Sequence, residues 1–312
     1  MTKDTPLVSI VIPTYNRHEK LRRLLVSIHK VTYSNIEIIV VNDFPKDTNY
    51  KKIEKDFKKV HFIHNNKELL LAGSRNTGIA YSAGDYILLV DDDNVVSPNI
   101  IEELLITFQS KKPSLPVGIV APITYYLKEP KRIWCAGIKI NKFSSFTKII
   151  GRDKIDSGQY NELIKSDGFP NAFMIKREVF RNVGLFNSNL FPIHYDEADF
   201  AERVNKKYLI FCQPKAKIWH DIDANNNSGD RARALHCYTS LRAYYCGRNR
   251  FIFQRMYSKN WQFILFSLVF NYLVTLYYIK VILFSSKRSI NKRLDAILYY
   301  LKGVVDGVQL RY

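Results

Sequence analysis

Four short apolar runs recur along the N-terminal part of the chain: LVSIVI (residues 7–12), IEIIVV (36–41), VHFIH (60–64) and YILLV (86–90). About 18–23 residues separate consecutive runs, and the gaps carry helical patterns such as Leu21, Leu24, Leu25 and Ile28. Apolar strands without alternation, separated by helices, predict βαβ units and a mostly parallel sheet covered on both faces. A fifth run, VGIVA (117–121), continues the series. The first run is only six residues long and stops at Pro13. That is too short for the apolar core of a signal peptide or for a membrane span, so it reads as a buried strand.

Beyond residue 122 the regular alternation gives way to short strand-like pieces at 133–140, 147–150 and 172–175. Two helix patterns follow, over 177–183 (closed by Gly184) and 197–207, and then a strand running to Trp219 and His220. With 312 residues, 46% hydrophobic and 24% charged, the chain is long and apolar enough for a packed core. Disorder and small disulfide scaffolds are thereby excluded. Cys135, Cys212, Cys237 and Cys246 form no CxxC pair, and free thiols in a reducing compartment are expected.

The charge is lopsided. Of a net +18, residues 231–312 contribute 14 Lys+Arg against 2 Asp+Glu, or +12. A basic tail suits nucleic acid or an anionic membrane surface. The adjoining residues favour the membrane: NWQFILFSLVFNYLVTLYYI (260–279) has no charge and the length of a transmembrane helix, with Trp261, Tyr277 and Tyr278 at its ends. Ser267, Asn271 and Thr275 nevertheless fall on one helix face. Ile290, Leu294, Ile297, Leu298, Leu301, Val304, Val305 and Val308 then make an apolar stripe, with Lys292 and Arg293 near its start. Three arrangements stay open here: helices in the membrane plane, one true span, or helices packed on the rest of the chain or in a homodimer.

The richest stretch for chemistry is YILLVDDDN (86–94), where Asp91, Asp92 and Asp93 follow directly on a central strand. Ligands of open parallel sheets bind outside the carboxyl ends of the strands. Adjacent carboxylates repel unless a cation or hydrogen-bond donors share them, and oxygen ligands so spaced suit Mg²⁺ or Mn²⁺ holding a diphosphate. Taken alone, a solvated turn reads the same way. Other strand ends add PTYNR (13–17), VND (41–43) and Arg75. HYDEADFAER (194–203) crowds Asp196, Glu197 and Asp199 at a helix start, where capping is the plain alternative, and IWHD ends a strand at His220.

Together VSIVIPTYNR, VVND, NNKELLLAGSRNTGIAYSAGDYILLVDDDN, GFPNAFMIKREVFRNVGLFNSNLF, YDEADFAER and WHD resemble family 2 glycosyltransferases of the GT-A fold, over about residues 6–222. The resemblance implies an α/β Rossmann-like sheet flanked by helices at 1–230, with a nucleotide-sugar half (1–122) and an acceptor half (123–230). A basic helical region, expected to associate with membrane, follows at 231–312. By the same resemblance Pro13, Thr14, Tyr15 and Arg17 lie against the nucleotide base, Asp43 hydrogen-bonds it, and Arg75 approaches the nucleotide or pyrophosphate. Asp91 and Asp93 form the D-x-D, with Asp92 between them in the nucleotide-sugar site. Asp93, Asp91 and His220 are the implied Mn²⁺ or Mg²⁺ ligands. The acceptor-side motif is usually Glu-Asp with the second residue as base. Here the pair is reversed as Asp196-Glu197, so register favours Glu197 and Asp196 stays a rival; Asp199 has an expected structural role.

A Q-x-x-R-W motif of processive synthases is absent, and YYCGRNRFIFQRM is more like the RN segment of non-processive, rhamnosyltransferase-like members. The expectation is a metal-dependent, inverting transfer of one sugar from a nucleoside-diphosphate sugar. The acceptor would be a glycan or lipid-linked hydroxyl at the cytoplasmic face of the cell membrane, in cell-surface polysaccharide or glycoconjugate synthesis. Nucleic acid is not an expected partner. Two alternatives are a catalytically degenerate nucleotide-sugar-binding subunit and a sugar-phosphate nucleotidyltransferase. The second would want a Gly-rich loop where PTYNRHEK has no glycine.

Overall fold

Strands β1 (Val8–Thr14), β2 (Ile36–Asn42), β3 (Val60–His64) and β4 (Tyr86–Val90) lie parallel in the order β3–β2–β1–β4. The computed structural model describes residues 5–46, 50–109, 115–143, 147–222, 235, 237–285 and 288–310. All seven residues of β1 are buried, because both faces of the sheet are covered. Alternate side chains divide between two cores, as the pleat requires. Ile10, Ile12, Val40 and Leu88 join one core with Leu21, Leu24, Leu25 and Ile28 of helix α1 (His18–Ile28). Val11, Val41 and Leu89 join the other with Ala72 and Ile79 of α3 (Leu70–Tyr81). Burial on both faces is why these strands read as unbroken apolar runs.

The sheet continues past β4 through β11 (Ala172–Lys176), antiparallel to both neighbours, to β6 (Val117–Tyr126), β12 (Leu209–His220) and β10 (Ile164–Ser166). Along this path of eight strands six point the same way, giving the mostly parallel α/β sheet expected. Two further pieces attach at its margin. β5 (Asn94–Val96) pairs with the end of β12, and β7 (Ile133–Cys135) pairs with β6. Helices α2 (Tyr50–Asp56), α4 (Ile100–Phe108), α5 (Arg177–Val183) and α6 (Asp196–Val204) complete the elements around it.

The apolar run at 133–140 does not form one strand. It divides into β7 and β8 (Ile138–Ile140) at Gly137, whose φ of 131° ends the extended conformation. β8 pairs with β9 (Thr147–Ile149) in a separate two-stranded sheet. β6 runs five residues beyond the expected 117–121, through Pro122, and the register against β12 shifts between Gln213 and Lys217. An irregularity of this kind accommodates a proline inside a sheet.

The chain forms two compact units. One comprises Met1–Lys139, Ile149–Ser188 and Phe200–Ala224, the other Ile140–Lys148, Asn189–Asp199 and Asn225–Tyr312. The described residues of the second include three helices: α7 (Ser240–Tyr257), α8 (Asn260–Leu283) and α9 (Ile290–Gln309). α7 begins at Thr239, whose side chain accepts a hydrogen bond from the Arg242 amide. α7 and α9 touch backbone to backbone. A Cβ at Gly303 would lie 2.1 Å from the Tyr244 carbonyl oxygen, and one at Gly247 would lie 2.5 Å from that of Tyr300. α8 lies on this pair through Val274, Tyr278, Val281 and Ile282, with Tyr278 stacked on Tyr300 at 5.3 Å between ring centroids. It contains a π-helical turn at Phe266–Phe270. All four cysteines are buried free thiols.

Candidate active site

β1, β2 and β4 are parallel neighbours, so their carboxyl ends fall at one edge of the sheet and deliver Thr14, Asp43 and Asp91 together. Asp43 is buried and fixed from three directions. Its carboxylate accepts from Asn65 Nδ2 at 2.7 Å and from the Leu69 amide at 2.9 Å, and its own amide donates to Thr14 O at 2.9 Å. Tyr15 follows Thr14 with an exposed ring, 5.1 Å from the Phe44 ring. An acid locked beside two rings can receive a planar base, with hydrogen bonds at its edge.

The three carboxylates after β4 have three different surroundings. Asp91 takes a hydrogen bond from Arg75 at 3.0 Å. Arg75 is buried, with its guanidinium carbon 5.8 Å from the Phe173 ring centroid and 5.6 Å from that of Phe186. Asp92 is buried and accepts from Thr14 Oγ1 at 2.7 Å and from Arg17 at 3.0 Å. Burial pushes the Asp92 carboxyl up to about 6 against the pull of Arg17, with the neighbouring Asp93 charge adding to the rise.

Asp93 is the charged centre of the group. Arg17 reaches it at 3.0 Å, His220 Nε2 at 3.3 Å and Lys20 at 3.9 Å. Burial alone would raise its carboxyl, but the bond to His220 and the charges of Arg17 and Lys20 hold it well below the usual carboxylate range. His220 arrives here because β5, immediately after the acidic run, pairs antiparallel with the end of β12 and sets His220 opposite Asn94. The Asp221 amide donates to Asp93 O at 2.8 Å and locks the crossing.

The donor set at this edge is one carboxylate and one imidazole, Asp93 and His220, with Asp91 turned to Arg75. Among the described residues no group of three His, Cys, Asp or Glu side chains has metal-binding geometry. An oxygen–nitrogen pair suits Mn²⁺ or Mg²⁺ when phosphate oxygens and water supply the remaining positions. His220 Nδ1 is buried without a hydrogen-bond partner among the described residues, so its other nitrogen is the one engaged. Arg17 lies on one oxygen of Asp93, Oδ2, and His220 on the other, Oδ1.

Several neighbours were not singled out by sequence. Lys20 and Arg23 both reach Asp221, at 3.3 and 2.8 Å. They lie three and six residues after Arg17, so the face of α1 on which Arg17, Lys20 and Arg23 recur was their available signal. Tyr50 meets Thr14 Oγ1 at 3.2 Å from 36 residues away, for which the sequence offers none.

On the second unit, Asp196 and Glu197 open α6 after two consecutive left-handed residues, His194 (φ 61°) and Tyr195 (φ 63°). Asp196 is 3% exposed, whereas Glu197 is half-buried. Asp199 is buried and accepts from Tyr257 Oη at 2.6 Å. Asn249 Nδ2 donates to Ile193 O and His194 O, each at 2.9 Å, and Arg248 donates to Leu190 O at 2.8 Å. The RN pair of α7 therefore shapes the loop that leads into the acidic turn.

The profile of glycosyl transferase family 2 matches residues 9–184, more than half of the chain, and the chain belongs to that family. Glycosyltransferase GlyG of Streptococcus pneumoniae is 34% identical over 115 residues, 36% of this chain and 38% of that protein. The Escherichia coli UDP-Glc:α-D-GlcNAc-diphosphoundecaprenol β-1,3-glucosyltransferase WfgD is 33% identical over 100 residues, 32% of this chain and 40% of that one. A glucosyl-dolichyl phosphate glucuronosyltransferase of Haloferax volcanii is 25% identical over 187 residues, covering 58% and 56%. The matches thus span 38–56% of these relatives' lengths. Among solved structures, GalNAc-T7 with UDP, GalNAc and Mn²⁺ shares the fold at a TM-score of 0.59 and 15% identity, over 88% of this chain and 58% of that one. The sheet is accordingly a GT-A sheet.

Proposed function

We propose that the protein transfers a single sugar from a nucleoside-diphosphate sugar to a hydroxyl of a glycan or lipid-linked acceptor, with inversion and with help from a divalent cation. The observation that carries this reading is the convergence of Asp91, Asp92 and Asp93 with Arg17, Arg75 and His220 at the carboxyl edge of β1 and β4. Family membership supports the reaction class. The names of the Escherichia coli and Haloferax relatives, both with lipid-linked sugars in them, support a lipid-linked acceptor.

In this reading Asp43 hydrogen-bonds the base while Pro13, Thr14 and Tyr15 line it. Asp91 contacts the ribose side, and the buried Arg75 holds Asp91 in place without itself reaching the nucleotide. Arg17, now on Asp93, would pair with the diphosphate of a bound donor, and Asp93 and His220, with Asp91 beside them, would hold Mn²⁺ or Mg²⁺. The bound cation would absorb the negative charge that develops on the departing nucleoside diphosphate. The half-buried Glu197 carboxylate takes the acceptor hydroxyl's proton as that oxygen attacks C1. Asp196, more deeply buried, orients the turn. With a lipid-linked acceptor the reaction would occur at a membrane, in this reading at the cytoplasmic face of the cell membrane.

The test is transfer of radiolabelled sugar by Glu197→Gln and Asp196→Asn. Loss of transfer with donor binding retained in Glu197→Gln supports the assignment. An active Glu197→Gln beside an inactive Asp196→Asn that still binds donor would move the base to Asp196.

A further inference from the structure

Helix α8 is amphipathic the wrong way round for water. Its exposed positions are Trp261, Ile264, Leu265, Leu268, Val269, Tyr272, Leu273, Leu276 and Tyr277, apolar or aromatic without exception between Asn260 and Lys280. Leu268 is 70% exposed, and Tyr272 and Leu276 are each 63% exposed. Ser267, Asn271 and Thr275 sit half-buried on the other side, with Ser267 bonded to Phe263 O at 2.8 Å, and the half-buried Gln262 accepts from the Lys259 amide at 3.0 Å. A helix facing water turns its polar residues outward. Monomeric soluble proteins rarely leave an apolar patch of this extent uncovered.

Helix α9 repeats the arrangement. Its small and aromatic residues Ala296, Tyr300, Gly303 and Gly307 are buried, and its stripe of Ile290, Leu294, Leu298, Leu301, Val305 and Val308 is exposed. Cations accompany these stripes: Lys259 and Lys280 at the two ends of α8, then Arg288, Lys292 and Lys302, against Asp295 and Asp306.

We infer that α8 lies in the plane of an anionic phospholipid bilayer, its exposed side in the headgroup and upper acyl region. It does not cross the bilayer, although it is long and apolar enough to do so. Its other side is packed on α7 and α9, through the stacking of Tyr278 on Tyr300 and the cluster with Ala243, Cys246 and Ala296. Those two helices carry Arg248 and Arg250, and Lys292, Arg293, Asp295, Lys302 and Asp306. A crossing α8 would draw these ionised groups into hydrocarbon or leave the cluster behind, and both are costly. An in-plane helix keeps the cluster, buries the exposed stripe and places the lysines among lipid phosphates. A second copy of the chain fits less well, because a two-fold interface would bring the same cations against one another. The loop that Asn249 holds before Glu197 belongs to this same unit, so the unit that rests on lipid also carries the proposed base.

This extends the membrane location given above and is independent of the sugar transfer. The experiment uses the full chain, phosphatidylcholine vesicles with and without phosphatidylglycerol, and extraction of native membranes with alkaline carbonate. Flotation with the anionic vesicles, release by carbonate, and quenching of Trp261 by brominated acyl chains (absent in Trp261→Phe) are expected. Leu268→Asp with Leu276→Asp should reduce vesicle partition by at least about tenfold, since each removes a side chain from an apolar phase. Lys259→Glu with Lys280→Glu should abolish the preference for anionic lipid, and both double variants should still bind nucleoside diphosphate. Retention through carbonate would mean a span. Failure to float, or a dimer that Leu268→Asp with Leu276→Asp converts to monomer, would overturn the inference while leaving the transferase reading intact.

Discussion

Asn249 Nδ2 donates to two consecutive carbonyls, those of Ile193 and His194, both at 2.9 Å. Asn249 itself is fully buried. It fixes the backbone at the start of two successive left-handed residues, His194 and Tyr195, a conformation that costs non-glycine residues about 1–3 kcal/mol each. Asn249→Ala should therefore loosen the turn carrying Asp196 and Glu197. The expected result is transfer slowed by more than about tenfold, with nucleotide affinity unchanged and stability reduced by about 1–3 kcal/mol. Single-turnover transfer beside calorimetric nucleotide binding checks the split.

Asp92 gives a pH dependence of defined sign. Burial raises its carboxyl from 3.8 to about 6 in the fold. The folded state therefore holds this proton more tightly than the unfolded chain does. Its contribution to stability is full below about pH 3.8 and is lost as pH rises through about 6. A rise of that size is worth about 3 kcal/mol at most. Denaturant unfolding from pH 4 to pH 8 should show the stability of Asp92→Asn rising relative to the parent across this window. A difference that does not change with pH would contradict the assignment.

Gly303 offers a packing test within the helical unit. A Cβ there would meet the Tyr244 carbonyl carbon and oxygen at 2.9 and 2.1 Å, and backbone cannot give way as a flexible side chain can. Gly303→Ala should force α7 and α9 apart and destabilise the unit by about 1–3 kcal/mol. Thermal unfolding checks this. A variant as stable as the parent would show that the two helices can separate at little cost.

The parts of the fold legible in the sequence are those whose environment is uniform along a stretch. β1, β2 and β4 are covered on both faces, so their residues form apolar runs whatever their pleat. The strand-end residues Thr14, Asp43 and Asp91 were legible for the same reason, since the runs fix where the strands stop. β5 and β10 have three residues each, too few to show a period, yet β5 is what brings His220 to Asp93. Asn249 and His194 are 55 residues apart, and no local pattern announces a side chain that bonds to distant backbone. In α8 the polar trio of Ser267, Asn271 and Thr275 was visible, but which way it faced was not. Its half-burial follows from the packing of α8 on α7 and α9, through partners that no local pattern specifies.

In the proposed reaction the acidic edge of the sheet holds a nucleoside diphosphate through a divalent cation. The most direct measurement of this is thermal stabilisation by UDP, dTDP, GDP and CDP, each with and without Mn²⁺ or Mg²⁺, in the parent and in Asp93→Asn. Nucleotide at 100 times its Kd stabilises a fold by about 2.7 kcal/mol. The expected result is a shift with one nucleotide that requires the cation and disappears in Asp93→Asn. No shift with any of the four, or a shift that Asp93→Asn leaves intact, would contradict it.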